Sequence, residues 1–134
     1  MNRADEIVSL LKLKPLPEEG GYFVETYRSE ERVPDEALPA RYRGTRVFAT
    51  AMYYLLTPDT FSALHRLPTD EIYHFYAGNP VEMLQLDPGG TGRTLVLGSE
   101  IWNGMQPQAT VPRGAWQGSR LLPGGTFALM GTTM

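Results

Sequence analysis

From residue 21 onward the chain never gives a helix enough room. Runs rich in apolar, aromatic and β-branched residues recur at short intervals: GYFVETYRS (21–29), RVFATAMYYLLT (46–57), TFSALHR (60–66), EIYHFYA (71–77), VEMLQLD (81–87), TLVLGS (94–99), ATV (109–111), WQGSRLL (116–122) and FALMGTT (127–133). Between them stand TPD, LPTD, GNP, DPGGTGR, NGMQP, VPRG and PGG, whose proline, glycine, asparagine and aspartate set turn geometry. Many short strands at regular spacing predict an all-β antiparallel sandwich or barrel. The one helical signal precedes them. Residues 3–13 place Ile7, Val8, Leu10 and Leu11 among charged neighbours, which suits a short amphipathic helix ended by Pro15 and Pro17.

A chain of 134 residues is enough for one domain with one core, so the reading is a single domain over 1–134, its helix at about 3–13 and its barrel at about 20–134. The polar, proline-punctuated stretch 29–44 reads as a long surface loop or arm. A net charge of −3 gives no reason to expect nucleic acid or an anionic membrane as partner. The N-terminus, MNRADEIVSLLKLKP, has neither the apolar run of a signal peptide nor that of a membrane span, so a cytoplasmic location is expected. Cysteine is absent, which removes disulfides, thiolate nucleophiles and thiolate metal sites and leaves chemistry to His, Asp, Glu, Tyr and Arg.

Both histidines fall in HRLPTDEIYHFYAG, residues 65–78. Alternation along a strand sends Glu71, Tyr73 and Phe75 to one face and Ile72, His74 and Tyr76 to the other. If residues 66–70 form a five-residue hairpin loop, His65 pairs opposite Glu71; a four-residue loop pairs it with Ile72 and separates the two. Facing each other in an apolar interior, imidazole and carboxylate would make a coupled acid/base pair, so His65 and Glu71 are the catalytic candidates. Tyr73 and Phe75 are candidate ligand contacts on the same face. Tyr53 is a further candidate acid or ligand contact, although periodicity leaves open whether 52 and 54 or 53 and 55 face inward. Arg66 is a candidate anion clamp at the rim. The three arginines of RYRGTR (41–46) could guide an acidic or phosphorylated substrate to the mouth, against the plainer reading of a solvated loop. DPGGTGR is read as a hairpin loop, since no helix follows it.

The spacing H-x5-E-x6-G over His65, Glu71 and Gly78, with V-P-R-G-A-W-Q over residues 111–117, resembles the two signatures of the cupin superfamily. The run from LPEEGGYFVETYRS through VPRGAWQGSRL is similar to its small, single-domain branch of unassigned function, whose members are similar in outline to dTDP-sugar epimerases. The resemblance implies a jelly-roll β-barrel, a homodimer and a cavity lined by both signature segments. It also implies that Gln117 stands where metal-binding relatives often carry histidine. Across the four ligand positions of those relatives this chain has His65, Leu67, Glu71 and Gln117. Two of the four donors are gone, so no metal cofactor is expected, and a metal could bind only weakly through His65, Glu71, Gln117 and water. The functional expectation is a small polar ligand in the barrel, with isomerase or epimerase chemistry at His65 and Glu71. A non-catalytic metabolite-binding module is the alternative, and a metal-dependent enzyme the third.

Overall fold

A computed structural model describes residues 2–134. Helix α1 (Arg3–Leu11) starts where the Asn2 side chain accepts from the Asp5 N–H at 2.8 Å, with Asp5 and Glu6 in the first turn against the positive helix end. It stops before either proline. Lys12 turns left-handed at φ 58° and its N–H closes back on Val8 O.

Twelve strands follow: β1 (Lys14–Pro15), β2 (Tyr22–Arg28), β3 (Arg32–Val33), β4 (Arg46–Val47), β5 (Thr50–Leu56), β6 (Ser62–Arg66), β7 (Glu71–Gly78), β8 (Val81–Leu86), β9 (Gly92–Leu97), β10 (Gln108–Val111), β11 (Trp116–Leu121) and β12 (Ala128–Thr133). Every run named from the sequence is a strand. They form a six-stranded sheet ordered β1-β2-β5-β12-β7-β10 and a four-stranded sheet ordered β6-β11-β8-β9, both antiparallel, with β3 and β4 as a separate ribbon in the arm. The expected jelly roll is present, as two facing sheets not closed into one continuous hydrogen-bonded barrel.

One cluster of buried side chains lies between the sheets, including Tyr54, Leu56, Tyr73, Val81, Met83, Leu97, Val111 and Met130. Alternation accounts for it. On β7 Tyr73 is buried while Tyr76 is exposed, and on β8 Val81, Met83 and Gln85 are buried while Leu84 is exposed. Among the described residues no helix is long and apolar enough to cross a membrane.

One expectation fails in a way that matters for the site. β6 and β7 are not a hairpin: β6 pairs with β11 in the small sheet, and β7 pairs with β10 and β12 in the large one. The segment after β6 is a crossover from sheet to sheet, and so is the segment from β10 to β11. The two crossovers are tied together. Gly114 N–H donates to Leu67 O at 2.9 Å, and Arg113 N–H donates to the Asp70 carboxylate at 2.8 Å.

Candidate functional site

Because both crossovers lie at one end of the jelly roll, strands β6, β7, β10 and β11 meet there. Glu71 opens β7 and sits opposite Val111 on β10, whereas His65 sits on β6 opposite Gln117 on β11. The pairing expected between His65 and Glu71 is therefore replaced by a three-residue arrangement. Gln117 stands beside His65 within one sheet and reaches across the interior to the other, its Nε2 donating to Glu71 Oε1 at 2.9 Å.

Glu71 is 3 % exposed and Gln117 1 %. Burial pushes the Glu71 carboxyl above the usual carboxylate range; the Gln117 amide, the Thr132 hydroxyl and the nearby His65 draw it back without cancelling the effect. A group in that state holds a proton more readily than a surface glutamate. Two phenols share the interior. Burial pushes the Tyr54 hydroxyl up to about 12, and Tyr73 is driven well above the usual tyrosine value by burial and by the neighbouring Glu71. Tyr54 donates to Gly20 O at 2.6 Å.

The orientation of His65 follows from an irregularity in β6. Gln117 pairs with His65 but Ser119 pairs with Ser62, so β6 carries one extra residue there. Within that bulge Ala63 N–H donates to Glu19 O at 2.6 Å, while Ala63 O lies 2.7 Å from His65 Nδ1. A carbonyl oxygen only accepts, so Nδ1 carries the proton. Nε2 is left as the nitrogen that can take one, and it stands 3.7 Å from the Glu19 carboxylate. The position of Glu19 beside His65 was not foreseen. Its signal was the LPEEGG stretch itself, where Glu18 and the two glycines take positive φ and turn the chain under β6.

The remaining candidates divide by face. Tyr73 and Phe75 face the interior, Tyr73 within the core cluster and Phe75 packed against it. Tyr53 does not: it pairs with Val24 and Gly131 on the outer face of the large sheet and meets Tyr76 edge to face at 6.1 Å. The tyrosine that β5 turns inward is Tyr54. Arg66 follows His65 and so points outward, its guanidinium 5.1 Å from the Trp116 ring centroid rather than at a cavity rim. His74 lies on the outer face, as alternation required, between Thr133 Oγ1 at 3.1 Å and Gln108 Nε2 at 3.2 Å.

The donor set does not fit a metal ion. Leu67 offers no donor and Gln117 presents its N–H to Glu71, so of the four positions only His65, through Nε2, and Glu71 could ligate, too few for a tight divalent site. Among the described residues no three histidine, aspartate or glutamate side chains group as metal ligands.

The expected arm, residues 29–44, folds back with β4 beside this end of the molecule. Arg41 Nε donates to Pro68 O at 2.9 Å on the crossover that leads into Glu71, where Thr69 also helps hold the Tyr42 hydroxyl below the usual tyrosine value. Between the arm and strands β2, β5 and β12 of the large sheet lies a cleft of about 910 Å³. Its lining includes Met52, Thr69 and Thr132, the last one of the groups that draw the Glu71 carboxyl down.

An antiparallel jelly roll whose two crossovers carry H-x5-E-x6-G and V-P-R-G is a cupin fold. Residues 5–134 match the family described as Cupin superfamily (DUF985), and the chain belongs to it. An uncharacterised protein of Saccharomyces cerevisiae is 32 % identical over 114 residues, 81 % of this chain; the chain spans 57 % of that relative's length. A hypothetical protein from Leishmania major has a similar structure, with 31 % identity, a TM-score of 0.86, and 98 % of this chain and 80 % of that one covered. A protein of Shewanella oneidensis gives 32 % identity and a TM-score of 0.83, covering 99 % and 77 %.

Proposed function

We propose that this cupin binds a small polar molecule at the crossover end of its interior and moves a proton on it, as an isomerase or epimerase would. The observation that carries the reading is the grouping of proton-handling side chains around Gln117. A buried carboxyl is raised toward neutrality, a histidine has its Nε2 free to accept, and Tyr73 is held protonated nearby. His65 is the base, Glu71 tunes it or acts as acid, and Tyr73 is the opposing acid. Ser119 supports ligand binding at the same place: next but one to Gln117 on β11, its Oγ is buried without a hydrogen-bond partner among the described residues. The resemblance in outline to dTDP-sugar epimerases is an analogy of fold, so the assignment stands on these residues.

Native mass spectrometry of the purified protein, followed by identification of any retained ligand, supplies the substrate. With that molecule, or a panel of keto-sugars in D₂O, proton nuclear magnetic resonance should show deuterium entering the carbon beside the carbonyl. His65→Asn should abolish the exchange and retain binding. Equal loss of both, or of neither, overturns the enzymatic reading. Binding without turnover is the second reading, favoured by the Gln117 amide that already donates to Glu71; it predicts retained ligand and no exchange in the wild type.

A homodimer belongs to the same proposal. The outer face of the small sheet and its approach expose Phe61, Leu64, Leu84 and Trp116, apolar surface that a second copy would cover. A monomer mass by light scattering at micromolar concentration would remove it.

A further inference from the structure

The cleft under the arm has a charge unlike that of the rest of the molecule. Arg28, Arg32, Arg43 and Arg46 line it against one carboxylate, Glu25, in a chain whose net charge is −3. Glu25 is already committed: Arg28 Nε donates to its Oε1 at 2.8 Å and Arg28 Nη2 to its Oε2 at 2.9 Å. Arg32, Arg43 and Arg46 make no ion pair with a carboxylate among the described residues. The acidic residues of the arm itself, Glu30, Glu31, Asp35 and Glu36, do not line the cleft.

The arrangement is built rather than incidental to a loose loop. Val33 pairs with Arg46 and Arg32 with Val47, so the ribbon sends Arg32 and Arg46 to opposite faces, and all four residues line the cleft. Arg46 is also held over the Tyr42 ring, 5.3 Å from its centroid, and Arg41 covers the same ring at 4.8 Å while its Nε donates to Pro68 O. Three guanidinium forks without carboxylate partners exceed what a single carboxylate ligand can engage, whereas a phosphate offers two charges and three acceptor oxygens. A cleft of about 910 Å³ is far larger than an inorganic phosphate needs and lies within the range of small-molecule sites. Its apolar lining, Val33, Val47, Phe48 and Met52, suits the body of an organic molecule.

We infer that the cleft binds a small organic phosphate, its anionic end among Arg32, Arg43 and Arg46 and its body directed along Met52 and Thr132 toward Glu71. Only the direction of the body rests on the proposed interior site; the anion site stands on the cleft alone. The inference names the class of ligand for that site.

The test is isothermal titration calorimetry of the full chain with inorganic pyrophosphate, ribose 5-phosphate and ribose. Pyrophosphate and ribose 5-phosphate should bind, more weakly as salt is raised, and ribose should not. Arg43→Ala and Arg32→Ala should each weaken binding about tenfold. Arg43→Lys should fall between Arg43→Ala and the wild type. Arg66→Ala removes the same charge outside the cleft and should leave binding unchanged, which separates a site from general attraction. Binding of pyrophosphate alone would assign the cleft to inorganic polyphosphate and overturn the organic ligand. Absence of binding by either anion, or equal loss in Arg66→Ala and Arg43→Ala, overturns the site itself. Thermal melts of each variant show that it is folded. Failure of the proton-transfer proposal would be seen in His65→Asn, which touches none of these arginines, so the two are separable.

Discussion

Gln117 on the four-stranded sheet donates its amide hydrogen to Glu71 on the six-stranded sheet, and the 2.9 Å bond joins the two layers across their interior. The partners reach one another because each flanks a crossover, and the crossovers are bonded together through Leu67 and Gly114. Truncation at Gln117 would leave a buried carboxylate oxygen without its donor. Gln117→Ala should therefore cost about 1–3 kcal/mol, measured by chemical denaturation. A loss no larger than that of an exposed substitution such as Gln106→Ala would show that the bond is not made in solution.

Glu71 also makes stability depend on pH. Its proton is held more tightly folded than unfolded, because burial disfavours the charged form. Its contribution is thus complete below the unfolded carboxylate range and is lost as pH rises through the raised folded value. Glu71→Gln keeps the shape without the charge. The variant should exceed the wild type by on the order of 1 kcal/mol near pH 8 and lose that advantage toward pH 4. A gap independent of pH in paired thermal melts would contradict the assignment.

The two histidines should show opposite tautomers. His65 presents Nδ1 to a carbonyl, so its proton is on Nδ1; His74 accepts from the Gln108 amide at Nδ1 and bonds Thr133 through Nε2, so its proton is on Nε2. Long-range nitrogen–proton correlation spectra at pH above the histidine range distinguish the two forms. Identical patterns would remove the argument that His65 Nε2 is the accepting nitrogen.

Gly78, the last residue of the first signature, has φ +101°, and a Cβ there would collide with Phe127 O and the Phe127 ring. Both constraints exclude a side chain. Gly78→Ala should destabilise by about 2–4 kcal/mol, whereas Gly89→Ala, with open space around it, should be near neutral. Equal effects in denaturation would refute the steric reading.

Tyr54→Phe tests the support beneath the bulge. Removing the hydroxyl that donates to Gly20 O leaves that carbonyl short of a partner, at a cost of about 1–3 kcal/mol. Gly20 adjoins Glu19, so the variant should also shift the histidine signals of His65, and an unchanged His65 resonance would break that link.

What the chain determined by itself was everything that depends on local backbone geometry. The strand runs, the turn residues and the alternation that puts Glu71 and Tyr73 inside and His74 outside follow from a period of two, which neighbouring residues impose on each other. The signature spacings were legible for the same reason. The partner of each strand was a different matter. Nothing within 65–78 distinguishes a five-residue hairpin loop from a crossover, because the choice rests on β11 and β10, some forty residues away. The tertiary structure made that choice, and with it placed Gln117 between His65 and Glu71, brought Glu19 beside the imidazole, turned Tyr54 inward in place of Tyr53, and folded the arginines of the arm around a cleft. Contacts between distant segments carry no local period; packing two sheets face to face decides them.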